Sequence, residues 1–219
     1  MWCIGTLSAE YRRRMYDLLE LYARPYRAHE PVICIDEKSK QLLGDARPPL
    51  ALKPGTPGKY DYEYERNGTC NVFVAVEPKG ERRVVAVTKR RTKPEFVSFV
   101  RRLVDRTYAS AHKIHLVLDN LNTHFRSSFE EVLGHSVACA LLRRVEFHYT
   151  PMHASWLNMA EIEIGILDRQ CLGRRLWDWV AVNREVAAWQ RRRNAQRHGI
   201  AWTFTRQDAD RKLALHYVP

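Results

Sequence analysis

The order of apolar and polar positions divides the chain into helical stretches, strand-like runs and one region with neither pattern. Tyr11, Met15, Leu18, Leu19 and Tyr22 recur at helical spacing behind Ser8, a suitable N-cap, and predict a helix over residues 8–22. Pro25 and Pro31 end it, and the run Val32-Ile33-Cys34-Ile35 predicts a buried strand that closes at Asp36. Residues 37–59 carry four prolines and three glycines and predict a long irregular loop. Tyr60 to Glu65 alternates strictly, as a half-exposed strand does, with Tyr60, Tyr62 and Tyr64 expected on its core face. Asn67-Gly68 predicts a turn, and residues 71–77 and 82–88 a hairpin closed by Pro78-Lys79-Gly80. A helix over 94–108 begins with Pro94 in its first turn and buries Phe96, Phe99, Val100, Leu103 and Val104. Strand 114–118, a short helix near 125–133, strand 145–149 and a helix over about 158–172 follow. Two tail helices, about 182–197 and 206–215, close the chain, with Trp177, Trp179 and Trp189 as their core. Antiparallel strands first, then alternating helix and strand, predict a mixed α/β sheet covered by helices.

A chain of 219 residues fits one globular domain with a helical extension, and its 45% hydrophobic content supports a sizeable core. Charge changes the picture more. Thirty-six Lys+Arg against 25 Asp+Glu leave +11, which favours a polyanionic partner such as nucleic acid. The five cysteines have no Cys-x-x-Cys spacing, so a zinc knuckle or a disulfide framework is not expected and a reducing compartment is. No apolar run approaches the ~20 residues of a membrane span, and no secretory leader is expected.

Candidate chemistry lies in the acids. Asp36 and Asp119 each end an apolar run, and Glu161 lies just inside a helical stretch. In a sheet whose strands run parallel there, both aspartates emerge at the same edge. Carboxylates gathered in this way are hard ligands for a pair of divalent cations. Asp36 and Asp119 are also ordinary strand-terminating residues, and Asn158-Met-Ala-Glu161 has capping-box spacing. Glu163 and Asp168 compete with Glu161 for the third position, and residue spacing leaves that choice open. No Gly-x-Ser-x-Gly elbow, phosphate loop or His-Glu-x-x-His occurs.

Three stretches carry a resemblance: Cys34-Ile-Asp-Glu-Lys38, Leu116-Val-Leu-Asp-Asn-Leu-Asn-Thr-His124, and Phe147 through Ile162 with its His-Tyr-Thr-Pro-Met-His-Ala-Ser-Trp-Leu-Asn-Met-Ala-Glu core. In order and spacing they resemble the catalytic blocks of bacterial insertion-sequence transposases of the mariner superfamily, which carry a DDE endonuclease domain. The resemblance implies a ribonuclease H-like α/β fold, a mixed five-stranded sheet flanked by helices. Its expected divisions are a helical lead-in at 1–31, the catalytic domain at 32–176 and a helical extension at 177–219. It implies Asp36, Asp119 and Glu161 as the metal-binding triad, thereby choosing Glu161, with two Mg²⁺ or Mn²⁺ ions. The implied reaction is hydrolysis at transposon ends by metal-activated water, then attack of the freed 3′-hydroxyl on target DNA. Implied partners are terminal inverted repeats and target DNA, with the chain a homo-oligomer on DNA in the bacterial cytoplasm, associated with the nucleoid. Such transposases usually begin with helix-turn-helix modules. Only one helix is predicted before the first catalytic strand, so a separate N-terminal helix-turn-helix polypeptide is an expected partner. A non-catalytic DNA-binding remnant and a general ribonuclease H-like nuclease are the alternatives. The expected DNA-contacting residues are Lys38, Arg47, Lys53, Lys59, Lys89, Arg90, Arg91, Lys93, Asn120, Asn122, His124, His153 and Trp156.

Overall fold

A computed structural model describes residues 7–48, 53–55, 57–58 and 61–217; Lys59 and Tyr60 lie outside them. Helix α1 (Ala9–Ala23) starts where expected, with the Ser8 hydroxyl accepting the Tyr11 amide, and buries Met15, Leu18, Leu19 and Tyr22. Five strands follow in the spatial order β3-β2-β1-β4-β5. They are β1 (Val32–Asp45), β2 (Tyr64–Glu77), β3 (Arg82–Thr88), β4 (Ile114–Leu118) and β5 (Val145–Tyr149). β1, β2 and β3 pair antiparallel, whereas β1, β4 and β5 are parallel.

Two sequence expectations fail in the same place. β1 does not stop at Asp36 but continues to Asp45, paired with β2 along its whole length beyond Cys34. Asn67-Gly68 is not a turn but part of continuous β2. Between Gln41 and Leu43 the register slips, and β2 advances three residues, Thr69 to Arg66, while β1 advances two. The extra residue is accommodated by Gly68 at φ 90°, a backbone state open to glycine, so the feature is a β-bulge. The tyrosine expectation fails too: Tyr62 is 86% and Tyr64 43% exposed, with the Arg66 and Arg175 guanidiniums over the Tyr64 ring.

Helices cover both faces. One face holds α2 (Lys93–Arg102), α3 (Arg126–Leu133) and α4 (His135–Leu142), whose apolar residues pack on Ile33, Ile35, Phe73, Leu116 and Leu118. Thr92 and Glu95 close a capping box on α2, which ends in a π-helical turn, Leu103–Thr107. The other face holds α1 and α5 (Met159–Leu167), with α6 (Trp179–Ala195) against β3 and α7 (Arg206–Leu213) beside α1. Trp189 is buried in that layer, but Trp177 is half exposed, its ring lying against Gly44 where a Cβ would fall within 2.0 Å of it. Among the described residues, no helix is long and apolar enough to cross a membrane.

Candidate active site

The parallel pairing of β1 and β4 ends at Cys34↔Val117, so β1 projects past β4 and opens a crevice at the carboxyl edge of the parallel strands. Asp36 stands there, opposite Val74 of β2 and on the same strand face as Cys34, toward α5. It is only 9% exposed. Its Oδ1 accepts the Glu37 amide at 2.7 Å, and Asn158 Nδ2 lies 3.5 Å from its Oδ2. No Lys or Arg pairs with it among the described residues. Burial, followed by the charges of Glu161, Asp119 and Glu37, pushes the Asp36 carboxyl up to about 7. The charges of Glu161 and Asp119 thus both reach Asp36.

Asp119 follows β4 directly. Its Oδ1 accepts the Leu121 amide at 3.2 Å and lies 2.6 Å from His124 Nδ1. Burial works to raise this carboxyl, but the His124 bond and charge, with the Leu121 amide, outweigh it and hold Asp119 below the usual range. His124 is fully buried, packed on Phe96 with ring centroids 4.4 Å apart, and its Nε2 lies 3.3 Å from Glu37 Oε2. Burial alone would lower the imidazole; Asp119 and Glu37 reverse this and push it up to about 9. An imidazolium clamped between two carboxylates therefore orients Asp119, and its burial corrects the expectation that His124 reaches a DNA phosphate. Glu37 was missed from sequence. The only available signal was an acid on the opposite strand face from Asp36, which gains meaning once His124 is placed beneath it.

Glu161 lies in the first turn of α5. The capping-box reading does not hold there: Asn158 caps the helix with its own Oδ1 on the Ala160 amide at 3.1 Å. The Asn158 Nδ2 donates to Ile35 O at 2.9 Å, docking the helix start over β1 beside Asp36. Glu161 is left exposed. Its two rivals are committed elsewhere. Glu163 is fully buried between Arg83, Nε at 3.1 Å, and Arg193, Nε at 2.8 Å, while Asp168 pairs with Lys38 at 3.2 Å. Among the described residues, two trios of metal-ligating side chains bring their ligand atoms within 4.8 Å of one another: His115/Glu146/His148 and Glu130/His135/Cys139. The three acids are spaced more widely than that.

The remaining predicted contact residues separate into free and engaged groups. A cleft of about 330 Å³ between Glu37, Arg91, Asn120, Leu121, Asn122 and Thr123 adjoins the acids. Lys53, Lys89, Arg90, Arg91 and Asn122 are exposed, Arg91 reaching to 3.9 Å from Glu37. Lys93 pairs with Glu131 at 2.6 Å, and Arg47 with Asp61 at 3.3 Å. Asn120 donates to Thr150 O at 2.6 Å and accepts from Arg14 at 2.5 Å, so its amide joins β4, β5 and α1 rather than standing free. His153 is exposed at φ 61°, a left-handed backbone uncommon outside glycine. Trp156 is 43% exposed and stacks on Trp202 with centroids 6.3 Å apart, Phe204 meeting it edge-on.

Residues 31–180 match the family model described as DDE superfamily endonuclease. Among solved structures, the chain resembles the Mos1 mariner paired-end complex with Mn, at 14% identity and TM-score 0.56, over 90% of this chain and 61% of that one. It also resembles the Mos1 strand transfer complex, at 13% identity and TM-score 0.56, over 87% of this chain and 57% of that one. The chain therefore spans about three fifths of the length of these solved chains. No curated protein matches it in sequence.

Proposed function

We propose a function from one premise: the chain belongs to the DDE superfamily endonucleases. It acts as the catalytic portion of a transposase that cleaves DNA at the ends of a mobile element and joins the freed 3′ end to target DNA. The observation that supports this reading is that the charges of Asp119, which follows β4, and Glu161, on α5, both bear on Asp36 of β1. Asp36 is buried with no cationic side chain to match its charge. A buried carboxylate with no cationic partner of its own and two further acids bearing on it is a donor set that hard divalent ions take.

In this reading Asp36, Asp119 and Glu161 would hold two Mg²⁺ or Mn²⁺ ions. Bound there, the ions would supply an activated water or 3′-hydroxyl and stabilise the departing oxygen. Asp36 contributes position, because the pairing of β1 with β2 fixes its backbone where β4 has ended. Asp119 stays ionised and fixed in rotamer because His124 and the Leu121 amide hold it. Glu161, exposed at the start of α5, is the most solvent-accessible of the three acids. Arg91 and Asn122 line the cleft and, with the exposed Lys89, Arg90 and Lys53, would meet phosphates, a contact that carries no sequence information. Reading of terminal repeats falls to helix-turn-helix modules on a partner polypeptide, and the active assembly is a homo-oligomer on DNA.

The test is Mn²⁺ binding by paramagnetic resonance alongside nicking of plasmid DNA. Asp36→Asn and Glu161→Gln are expected to lose both while keeping salt-sensitive DNA affinity. If wild-type chain binds DNA indifferently to metal and these variants match it in every assay, the protein is a DNA-binding remnant and the assignment fails.

A further inference from the structure

A second set of metal-ligating side chains lies on the α1 face of the sheet, at its β5 edge and away from the acids. On β4, His115 precedes Asp119 by four residues, roughly 13 Å along an extended strand. The parallel register sets His115 opposite Glu146 and Val117 opposite His148, so alternation turns all three polar side chains to one face. There His115 Nδ1 lies 2.9 Å from His148 Nε2 and 3.7 Å from Glu146 Oε2, and His148 Nε2 lies 3.8 Å from Glu146 Oε1. An ion bound tetrahedrally at 2.0–2.1 Å by nitrogen and oxygen sets its ligands roughly 3.3 Å apart, within the span of these distances.

Two further observations point the same way. His148 Nδ1 is held at 2.7 Å by Asp17 of α1, which places the ring proton there and turns the Nε2 lone pair into the cluster. A carboxylate on the far nitrogen of a histidine is the usual support of a metal-bound imidazole. The Glu146 Oε2 atom is shielded from solvent and held by the Lys113 ammonium, which leaves Oε1 facing His148 Nε2. Both histidines are 3% exposed, whereas the side chains of Glu146 and Asp17 are 41% and 47% exposed, which leaves an entry path from the β5 edge.

We propose that His115, Glu146 and His148, oriented by Asp17, form a binding site for a borderline transition-metal ion of the Zn²⁺ type, separate from the acidic site and independent of its assignment. Binding moves the His115 ring proton from Nδ1 to Nε2 and leaves the fourth position to water. Because Asp17 lies on α1 and the ligands on β4 and β5, the ion ties the lead-in helix to the sheet edge.

Titration of the full chain with ZnCl₂ in excess MgCl₂, followed by calorimetry, tests this. One saturable site is expected that raises the melting temperature. Glu146→Ala is expected to remove that site, and Asp17→Asn to weaken it 10–100-fold; both positions are half exposed, and circular dichroism checks their folding. Co²⁺ is expected to give d–d bands with no thiolate charge-transfer absorption, and Cys139→Ser to leave binding unchanged. The rival Glu130/His135/Cys139 trio predicts the reverse of both. Absence of saturable Zn²⁺ binding, survival of the site in Glu146→Ala, or its loss in Cys139→Ser overturns the proposal.

Discussion

Glu161 and Glu163 are two residues apart on one helix, and exchanging each for glutamine should produce opposite phenotypes. Glu163 accepts from Arg83 Nη2 at 3.2 Å and from Arg193 Nε at 2.8 Å, with Arg83 Nε also 3.1 Å away. Arg83 and Glu163 are fully buried at the side chain, and Arg193 is 12% exposed. Glutamine keeps the shape but turns an amide N–H₂ toward guanidinium donors and leaves two cations in low dielectric without a counter-charge. Breaking one partner out of such a cluster costs about 3–5 kcal/mol. For a chain of this length that corresponds to roughly 6–20 °C of melting temperature. Glu161→Gln changes an exposed position and is expected to alter stability by no more than about 0.5 kcal/mol, while Mn²⁺ binding and DNA nicking collapse. Urea denaturation followed by far-ultraviolet circular dichroism, beside Mn²⁺ paramagnetic resonance, separates the two. If Glu163→Gln unfolds within about 0.5 kcal/mol of wild type, the ionic cluster is not a principal tie in this fold and the reasoning fails.

Further outcomes are expected at Asp36, His124 and Gly44. The Asp36 carboxyl is raised to about 7 from 3.8, so the folded state binds its proton more tightly than the unfolded state. Metal-free stability should therefore fall as pH rises from about 4 to 7, by at most ~4 kcal/mol, and Asp36→Asn should raise the metal-free melting temperature at pH 8. His124 is likewise raised, to about 9 from 6.5, so the stability contributed by its clamp is complete below about 6.5 and lost as pH rises through about 9. His124→Phe should cost about 3 kcal/mol by removing the buried cation between Glu37 and Asp119 and leaving Glu37 only the distant Arg91, and His124→Phe with Glu37→Leu should recover part of it in a double-mutant cycle. Gly44→Ala places a Cβ 1.8–2.0 Å from Trp177 ring atoms; it should swing the ring outward, at a cost of about 1–3 kcal/mol, with red-shifted tryptophan fluorescence.

Legibility from sequence followed the range of the interactions. Helix α1, the β2–β3 hairpin, β4 and β5 were readable because their periodicity and caps are local. The extension of β1 through 37–45 was not. A polar run such as Glu-Lys-Ser-Lys-Gln pairs only because β2 lies alongside it, and the Gly68 bulge that keeps β2 continuous has the same dipeptide signal as a turn. Helix α4 was not expected at all: the helix read near 125–133 stops before Gly134, whose φ of 78° breaks the chain between α3 and α4, and nothing was assigned to 135–142. The competition among Glu161, Glu163 and Asp168 was beyond residue spacing, since what separates them is Arg83, Arg193 and Lys38, each distant along the chain. Glu37, the Asp17–His148–His115 relay and the exposed tyrosines were equally out of reach, because each depends on what a folded neighbour presents or withholds.

The Arg83–Glu163–Arg193 cluster has a consequence for where this protein can be cut. Arg193 belongs to α6 and Glu163 to the same short helix that bears Glu161, so the tail acts as a splint on the third acid. A version trimmed at residue 176 would keep every proposed metal ligand and still lose its grip on one of them. The smallest piece expected to cut DNA thus extends well past its last proposed metal ligand.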